Sequence, residues 1–232
     1  MTVPVLRLEF ADARETADLA AFLARLLHYD RAAAVRMQAG GSALAVFGRL
    51  PSFEVLAVRT ARLAGRHDFD TTVSAGELLE SLGTGDEETA AGSGVLPAAV
   101  TGPPWTGVLP PRAGWRELAG LPGPVSLCEA VTAAVAEFRS RDEALPEDRR
   151  TRAERDTVGR EIWSRTIGST GLPLRAVHAA QSLGFLRPAP DFPVALLAAG
   201  TWLRLRTPFG SIALRGQGNN GLGTLAVSVG TG

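Results

Sequence analysis

The chain has 232 residues, with 24 arginines, 24 carboxylates and no lysine, so its formal net charge at pH 7 is zero. Apolar residues make up 45% and charged residues 21%, a balance typical of globular proteins that excludes disorder of the whole chain. Without lysine, the chain has no Schiff-base lysine, lysine general base or P-loop lysine.

Cysteine content and hydropathy indicate the compartment. Cys128 is the only cysteine, so the chain can form neither an intrachain disulfide nor a thiolate zinc cluster. No stretch reaches the roughly 18 apolar residues that a spanning helix needs, and the first residues lack the apolar run of a secretory leader. We therefore expect a cytoplasmic protein without a membrane partner.

The first 82 residues predict an N-terminal antiparallel sheet with two helices, in the order β-α-β-β-β-α. Residues 3–10 alternate as a half-buried strand, and Asp12 can cap an amphipathic helix of about four turns. Three strands in a meander are expected at 31–38, 43–50 and 53–63, separated by the AGGS sequence and by a turn at Pro51-Ser52. Ser74 and Glu77 form a capping box for a helix at about 75–82.

Residues 83–124 are expected to form a linker, because this stretch holds nine glycines and seven prolines. Within it, Trp105 and Trp115 lie among prolines. The segment 103–118 could lie across the N-terminal domain and cover its core. Alternatively, the two tryptophans form a partner-binding surface, since aromatic anchors dominate protein interfaces.

Residues 125–232 predict a helical domain with a β-hairpin and a terminal strand. Two more capping boxes, Ser126 with Glu129 and Thr151 with Glu154, open helices. A Gly168–Gly171 turn precedes a helix at 172–183, which Gly184 can end. The sequence TPFG then joins two strands, 202–206 and 211–215, and TLAVSV follows as a last strand.

The order helix, GSTG turn, helix and hairpin in residues 151–215 resembles the winged-helix arrangement, by element order and not by a diagnostic motif. The resemblance implies that 172–183 is a recognition helix with Arg175, His178 and Gln181 pointing outward to base edges. It also implies that Arg204, Arg206 and Arg215 line one face of the wing and contact phosphates or a minor groove. The segment 187–200 is longer than a compact wing usually has.

The zero net charge is the sum of two opposed parts. Residues 1–138 contain 11 arginines and 16 carboxylates, whereas residues 139–232 contain 13 arginines and 8 carboxylates. Such asymmetry is one indication of a nucleic-acid partner. It equally fits two parts that dock electrostatically, within the chain or between subunits.

Residues with catalytic or ligand-binding chemistry are few and scattered. His28 closes a helix, His67 with Asp68 and Asp70 is expected in a solvated loop, and Cys128 is expected to be buried and structural. No catalytic, phosphate-binding or zinc motif is present in the sequence. We therefore predict no catalytic residues, no metal site and no cofactor.

Together these observations predict a two-part α+β protein that acts as a non-enzymatic interaction or assembly module, with a protein partner or by self-association. The strand edges within 31–62 make a homo-oligomer plausible. The alternative is a DNA-binding transcriptional regulator that uses the winged-helix-like region on duplex DNA. An enzyme of unrecognised type is the third hypothesis.

Overall fold

The computed structural model describes residues 6–83, 93–147 and 150–216. The described residues form an α+β fold, as predicted. In chain order the elements are β1 (Arg7–Glu9), α1 (Ala13–Tyr29), β2 (Ala34–Leu50), β3 (Val55–Ser74), α2 (Ala75–Gly83), β4 (Ser93–Val95), β5 (Arg116–Leu118), α3 (Pro124–Ala144), α4 (Arg152–Trp163), α5 (Leu174–Ser182), β6 (Ala195–Ala199), β7 (Trp202–Thr207) and β8 (Gly210–Arg215). The expected last strand, TLAVSV, lies outside the described residues.

One antiparallel six-stranded sheet organises the described chain. Its strand order is β2-β3-β8-β7-β6-β5, and β1 pairs with β4 in a separate two-stranded sheet. The junction between the halves is β3 with β8, where Leu56–Val58 pair with residues 211–213. The two parts that the sequence suggested therefore share a single sheet. The expected linker also contributes strands, since it contains β4 and β5.

The predicted three-strand meander is wrong, because two long strands replace it. Strand β2 runs through the AGGS sequence and stays paired with β3 on both sides of a bulge between Gly41 and Ala43. Gly41 has a φ of 64°, a left-handed conformation that glycine adopts without steric cost. The glycines therefore do not end the strand. As a consequence, His67, Asp68 and Asp70 lie in β3 and not in the loop predicted for them.

The main core lies between one face of the sheet and the helices. Asp12 caps α1 as predicted, since its carboxylate accepts hydrogen bonds of 3.0 Å from the amides of Arg14 and Glu15. The buried face of α1 carries the expected apolar side chains, and Gly48 of β2 lies close beneath Phe22 and Leu26. From the second half, α5 packs on the same sheet through its own buried face: Leu174, Ala176, Val177, Ala179 and Ala180.

For two of the three predicted capping boxes, the structure contains the hydrogen bond from the glutamate amide to the capping hydroxyl. Ser74 accepts a hydrogen bond from the Glu77 amide, and Thr151 caps α4 by accepting one of 3.3 Å from the Glu154 amide. The third prediction is wrong, because α3 begins at Pro124, two residues before Ser126. Proline suits the first helical position, since its fixed φ is helical and the missing N–H would have had no helical acceptor there.

The hairpin predicted around TPFG is confirmed, but both of its strands are interior strands of the sheet. Strand β7 pairs with β6 and β8 pairs with β3, so the hairpin does not extend from the fold as a free wing. Gly210 closes it with a φ of 157°, and a Cβ there would lie 2.6 Å from the buried Phe185 ring.

Among the described residues, none of the helices combines the length and apolar composition that a bilayer crossing requires.

Candidate functional site: two arginine-lined clefts

The second face of the sheet is covered by the Pro-rich segment of residues 100–115, which we name the strap. The amide of Val100 donates a 2.9 Å hydrogen bond to the Thr72 carbonyl, and Arg36 of β2 donates one to the Thr106 carbonyl. Beneath the strap, Phe47 and Val58 are buried although they point away from the helices. Part of the segment predicted at 103–118 therefore lies across the N-terminal strands. The prediction that it covers their core is wrong, because the face it covers is opposite the main core, and Arg116–Leu118 pair with β6.

An ion pair within the sheet holds the Arg36 side chain that bonds the strap at Thr106. Arg36 binds Asp70 through two hydrogen bonds of 2.7 and 2.9 Å, and Gln38 donates a third, of 2.9 Å, to the same carboxylate. The hydrogen bond from Arg36 is the main reason that the pKa of Asp70 is lowered from its ordinary value. The carboxylate therefore stays charged in mildly acidic solution and keeps Arg36 directed at the strap.

A cleft of about 300 Å³ opens between the sheet and the strap, and we name it the strap cleft. This volume is at the lower end of those that bind small ligands or single side chains. Its floor is apolar and its polar groups are few. The lining includes Gln38, Phe47, Val58, Thr60, Pro110, Pro111, Arg112 and Arg204.

Arg204 is the unusual residue of the strap cleft. Its Nε is buried without a hydrogen bond, and among the described residues no carboxylate or carbonyl is bound to its guanidinium. The guanidinium carbon lies 5.6 Å from the centre of the Trp115 ring, within the range of a cation–π contact. Burial, and secondly the neighbouring Arg206, lower the pKa of Arg204 from its ordinary value. No carboxylate is among the described residues that line the cleft, although Asp70 nearby accepts a hydrogen bond from Gln38 and interacts electrostatically with Arg112.

Arg59 provides the contrast within the same sheet. It is buried on the helical face, where it donates 2.9 and 2.6 Å hydrogen bonds to Asp18 and to the carbonyl of Phe209. Buried arginines are ordinarily paired in this way, because an unpaired buried charge is costly. The Nε of Arg59 is also buried without a hydrogen bond, but its two terminal nitrogens are paired. No acceptor among the described residues is bound to the guanidinium of Arg204, and this difference marks the strap cleft as a candidate binding site.

A second cleft, of about 520 Å³, lies where the N-terminal end of α5 meets the ends of β7 and β8. We name it the α5 cleft. It brings together two arginines that the sequence analysis selected, Arg175 and Arg215. Hydroxyl groups and the GSTG turn complete its wall, with Ser164, Thr166, Ser169, Thr170, Gly171 and Thr201 among the lining residues.

The six residues predicted for DNA binding are divided among different surroundings. Arg175 and Arg215 line the α5 cleft, Arg204 lines the strap cleft, and Arg206 is exposed beside Glu117 in a third cleft. On α5, Arg175, His178 and Gln181 are only half-exposed, because the helix packs against the sheet and two other helices. The recognition-helix hypothesis stays a prediction, with side chains that are less exposed than we expected.

His178 lies within a stack of aromatic rings instead of on a free helix surface. Its ring is 4.5 Å from Trp163 and 5.0 Å from Phe53, and Phe53 in turn contacts Tyr29 at 5.4 Å. Burial lowers the pKa of His178 from its ordinary value of 6.5. The stack joins α1, α4 and α5, which gives this histidine a structural role in the fold.

The remaining candidates have simple surroundings. Cys128 is buried, and burial raises the pKa of its thiol, so the reactive thiolate is disfavoured. Trp105 and Trp115 both lie in the strap and are half-buried, and their partner-binding role stays a prediction. Within the described ranges, no three histidine, cysteine, aspartate or glutamate side chains are grouped as metal ligands.

The sequence analysis did not select the other residues of the strap cleft. Gln38 and Thr60 come from distant parts of the β2–β3 pair, and Arg112 comes from the strap. The alternating WLRLRT sequence of β7 did predict that Arg204 and Arg206 share a face. A local pattern cannot predict that a Pro-rich segment covers one of them and leaves the other exposed.

In comparisons with known proteins, two family models match successive parts of the chain. One family model, described as Domain of unknown function (DUF8010), matches residues 3–107, and another, Domain of unknown function (DUF8185), matches residues 110–219. No curated protein matches the chain.

Among solved structures, the chain is similar to the crystal structure of a DNA polymerase sliding clamp from Pseudomonas aeruginosa with ligand, at 12% identity and a TM-score of 0.44. The match covers 90% of this chain, and the chain spans 64% of the length of that clamp. The two family matches meet within the strap, so the strap cleft is built from residues of both matched regions.

Proposed function

We propose that this protein is a non-enzymatic binding module that holds an acidic group of a partner protein in the strap cleft. The observation that carries the proposal is Arg204, a partly buried guanidinium without a carboxylate among the described residues. A carboxylate supplied by a partner would give Arg204 the charge-assisted hydrogen bonds that the fold leaves unmade. Such hydrogen bonds are strongest where water is largely excluded.

The walls of the cleft support an acidic side chain rather than a free small anion. Phe47 and Val58 offer apolar contact to the carbon atoms that carry the carboxylate, and Trp115 flanks the guanidinium. Arg112 contributes a second cation from the strap. This combination of a cationic centre with aromatic and apolar neighbours is typical of interface hot spots.

The test compares two labelled peptides that differ only in charge, one rich in glutamate and its glutamine counterpart, by fluorescence anisotropy. We expect the acidic peptide to bind the intact chain in a saturable manner and the neutral peptide to bind much more weakly. Arg204→Gln should raise the Kd of the acidic peptide about tenfold or more, because a charged hydrogen bond contributes about 1.5–3 kcal/mol.

Arg152→Gln is the matched control, because it removes the same charge from a side chain on α4 that is 95% exposed. We expect it to leave the Kd within about twofold, since exposed charges contribute little. Equal binding of both peptides, or wild-type affinity in Arg204→Gln, would overturn the proposal.

DNA binding is the second candidate function. It is favoured by Arg206 and Arg215, which are both exposed on the β7–β8 hairpin and have no carboxylate partner in the described part of the chain. A salt titration with duplex DNA tests it. Affinity should fall steeply as salt rises, and the slope should shrink in Arg215→Ala, because each phosphate contact releases counterions. Absence of binding at low salt would end this hypothesis.

A further inference from the structure

The α5 cleft carries an inference that is independent of the strap cleft. Its wall is formed by the GSTG turn, the first turn of α5, the turn between β6 and β7, and the end of β8. Two guanidinium groups and several hydroxyls line it, and no carboxylate is among its lining residues. The cleft therefore has two positive charges and hydrogen-bond donors without an internal anion.

The two arginines are incompletely used by the fold. Arg175 has a side chain that is 22% exposed, and its buried Nε makes no hydrogen bond. Its nearest carboxylate is Glu54, at 3.8 Å and 72% exposed, which is longer than a charge-assisted hydrogen bond. Arg215 lies over the Trp202 ring at 5.6 Å, a contact that leaves the N–H groups of the guanidinium available to an acceptor.

The hydroxyls of the wall add neutral donors. Thr170 is already engaged, since it donates to the Ile167 carbonyl and accepts from the Leu172 amide. By contrast, the hydroxyls of Thr166, Ser169 and Thr201 have no hydrogen-bond partner in the described ranges. These groups can each donate one hydrogen bond to an oxygen atom placed between the arginines.

We propose that the α5 cleft binds the phosphate group of a small phosphorylated molecule through Arg175, Arg215 and the adjoining hydroxyls. A phosphate monoester carries a charge of about −1.5 to −2 near neutral pH and three strong acceptor oxygens, which match two guanidinium groups and a set of hydroxyl donors. One carboxylate has a single charge and two oxygens. It would leave one arginine and most of the hydroxyls without a partner.

The shape of the site favours a small molecule over the backbone of a duplex. The volume of about 520 Å³ lies within the range of small-ligand pockets. Arg175 is recessed in the cleft, whereas phosphates of a duplex are contacted by side chains that reach out from the surface. Inorganic phosphate, phosphoethanolamine and duplex DNA share the same chemistry, so they serve as three arms of the test.

Isothermal titration and ³¹P NMR line broadening on the intact chain measure the binding of inorganic phosphate and of phosphoethanolamine. Acetate at equal ionic strength is the carboxylate control. We expect saturable binding of both phosphates, little binding of acetate, and a Kd about tenfold higher in Arg175→Gln and in Arg215→Gln. Ser169→Ala should raise the Kd by a smaller factor, because it removes a neutral hydrogen bond.

Controls keep the outcomes distinct. Arg152→Gln, which lies outside the cleft, should leave the Kd of phosphate unchanged. Arg215 is exposed, so Arg215→Gln remains informative if Arg175→Gln fails to fold. The proposal is overturned if acetate binds as tightly as phosphate, if neither arginine variant weakens binding, or if only duplex DNA binds and inorganic phosphate does not compete with it.

Discussion

At the scale of single residues, the sequence predicts the side of a strand on which an arginine lies but not its depth. Arg204 and Arg206 alternate in β7 and share a face, as the WLRLRT pattern indicates. The strap covers Arg204 through its Trp115 ring, whereas Arg206 stays exposed. The difference between a binding residue and a surface residue therefore arises from a segment about 90 positions earlier in the chain.

Arg204→Met tests whether this arginine is kept for binding or for stability. Methionine is similar in length and apolar, so the variant removes an unpaired, partly desolvated charge. Because water still screens part of the side chain, we expect the free energy of unfolding to rise by no more than about 1 kcal/mol. Urea denaturation measures it, with the exposed Arg152→Met as a control. A loss of more than about 1 kcal/mol would show that Arg204 stabilises the fold.

His178 predicts a pH dependence of stability. Burial between Trp163 and Phe53 lowers its folded-state pKa below the ordinary value of 6.5, so the unfolded chain binds more protons in the interval between the two values. The contribution of neutral His178 to the free energy of unfolding is complete above about pH 6.5. It is lost as pH falls from there through the folded-state pKa of His178. We expect urea denaturation at a series of pH values to show this decrease.

The variant His178→Phe keeps an aromatic ring in the stack and removes the titrating group. It should flatten the pH dependence between pH 6.5 and the onset of carboxylate titration, whereas His67→Gln, a change in β3, should retain it. If the slope is the same in the wild type and in His178→Phe, another group is responsible for it.

At the scale of elements, glycine was the main source of error in predicting the strands. The AGGS sequence is typical of a turn, yet three of its residues, Ala39, Gly40 and Gly41, are paired with β3. Only tertiary pairing with β3 decides between a bend and a break, because both use the same left-handed glycine conformation. Helix starts were predicted better, since a cap depends on a side chain and an amide three residues apart.

A pair of neighbouring glycines tests this account of the bulge. Gly41 has a φ of 64°, whereas a Cβ at either Gly40 or Gly41 would meet nothing within 4 Å. Gly41→Ala should therefore lower the free energy of unfolding by about 1–2 kcal/mol through backbone strain alone. Gly40→Ala should be neutral or slightly stabilising. Equal effects of the two substitutions in chemical denaturation would contradict the assigned bulge geometry.

At the scale of the whole molecule, the two halves are joined by one sheet. Strands β3 and β8 pair across the junction, and the ion pair between Arg175 and Glu54 joins the halves as well. Arg141 of α3 pairs with Glu161 of α4, and Arg165, which follows α4, pairs with Glu137 of α3. Pairs within one half cannot offset its net charge, so the opposed charges of residues 1–138 and 139–232 meet only in pairs that cross this boundary, those of Arg141 and Arg165 with Glu137 and of Arg175 with Glu54 among the described residues.

The continuous sheet predicts a single cooperative unfolding transition. We expect the calorimetric and van't Hoff enthalpies to agree, and tryptophan fluorescence and far-ultraviolet circular dichroism to report the same midpoint. Tryptophans lie in the strap, in α4 and in β7, so fluorescence samples both matched regions. Two resolved transitions would indicate that the halves unfold separately despite the shared sheet.

Self-association stays a prediction at this scale. Of the strands expected at 31–62, β3 is interior, whereas β2 lies at the edge of the sheet. In the described part of the chain, no backbone group beyond β3 bonds to the backbone of β2. A second copy or another extended segment could add a strand there, and sedimentation velocity over a range of concentrations would detect a dimer.

The sequence by itself determined the α+β class, the amphipathic helices, two of the three predicted helix caps with a Ser or Thr hydroxyl, and the β7–β8 hairpin, because these depend on residues within a few positions of each other. It also excluded lysine chemistry and intrachain disulfides through composition. Tertiary structure alone decided that the halves share a sheet, that the Pro-rich segment covers its second face, and that Arg204 lies beneath that strap without a carboxylate. Those features depend on burial and on pairing between distant residues, which local periodicity does not encode.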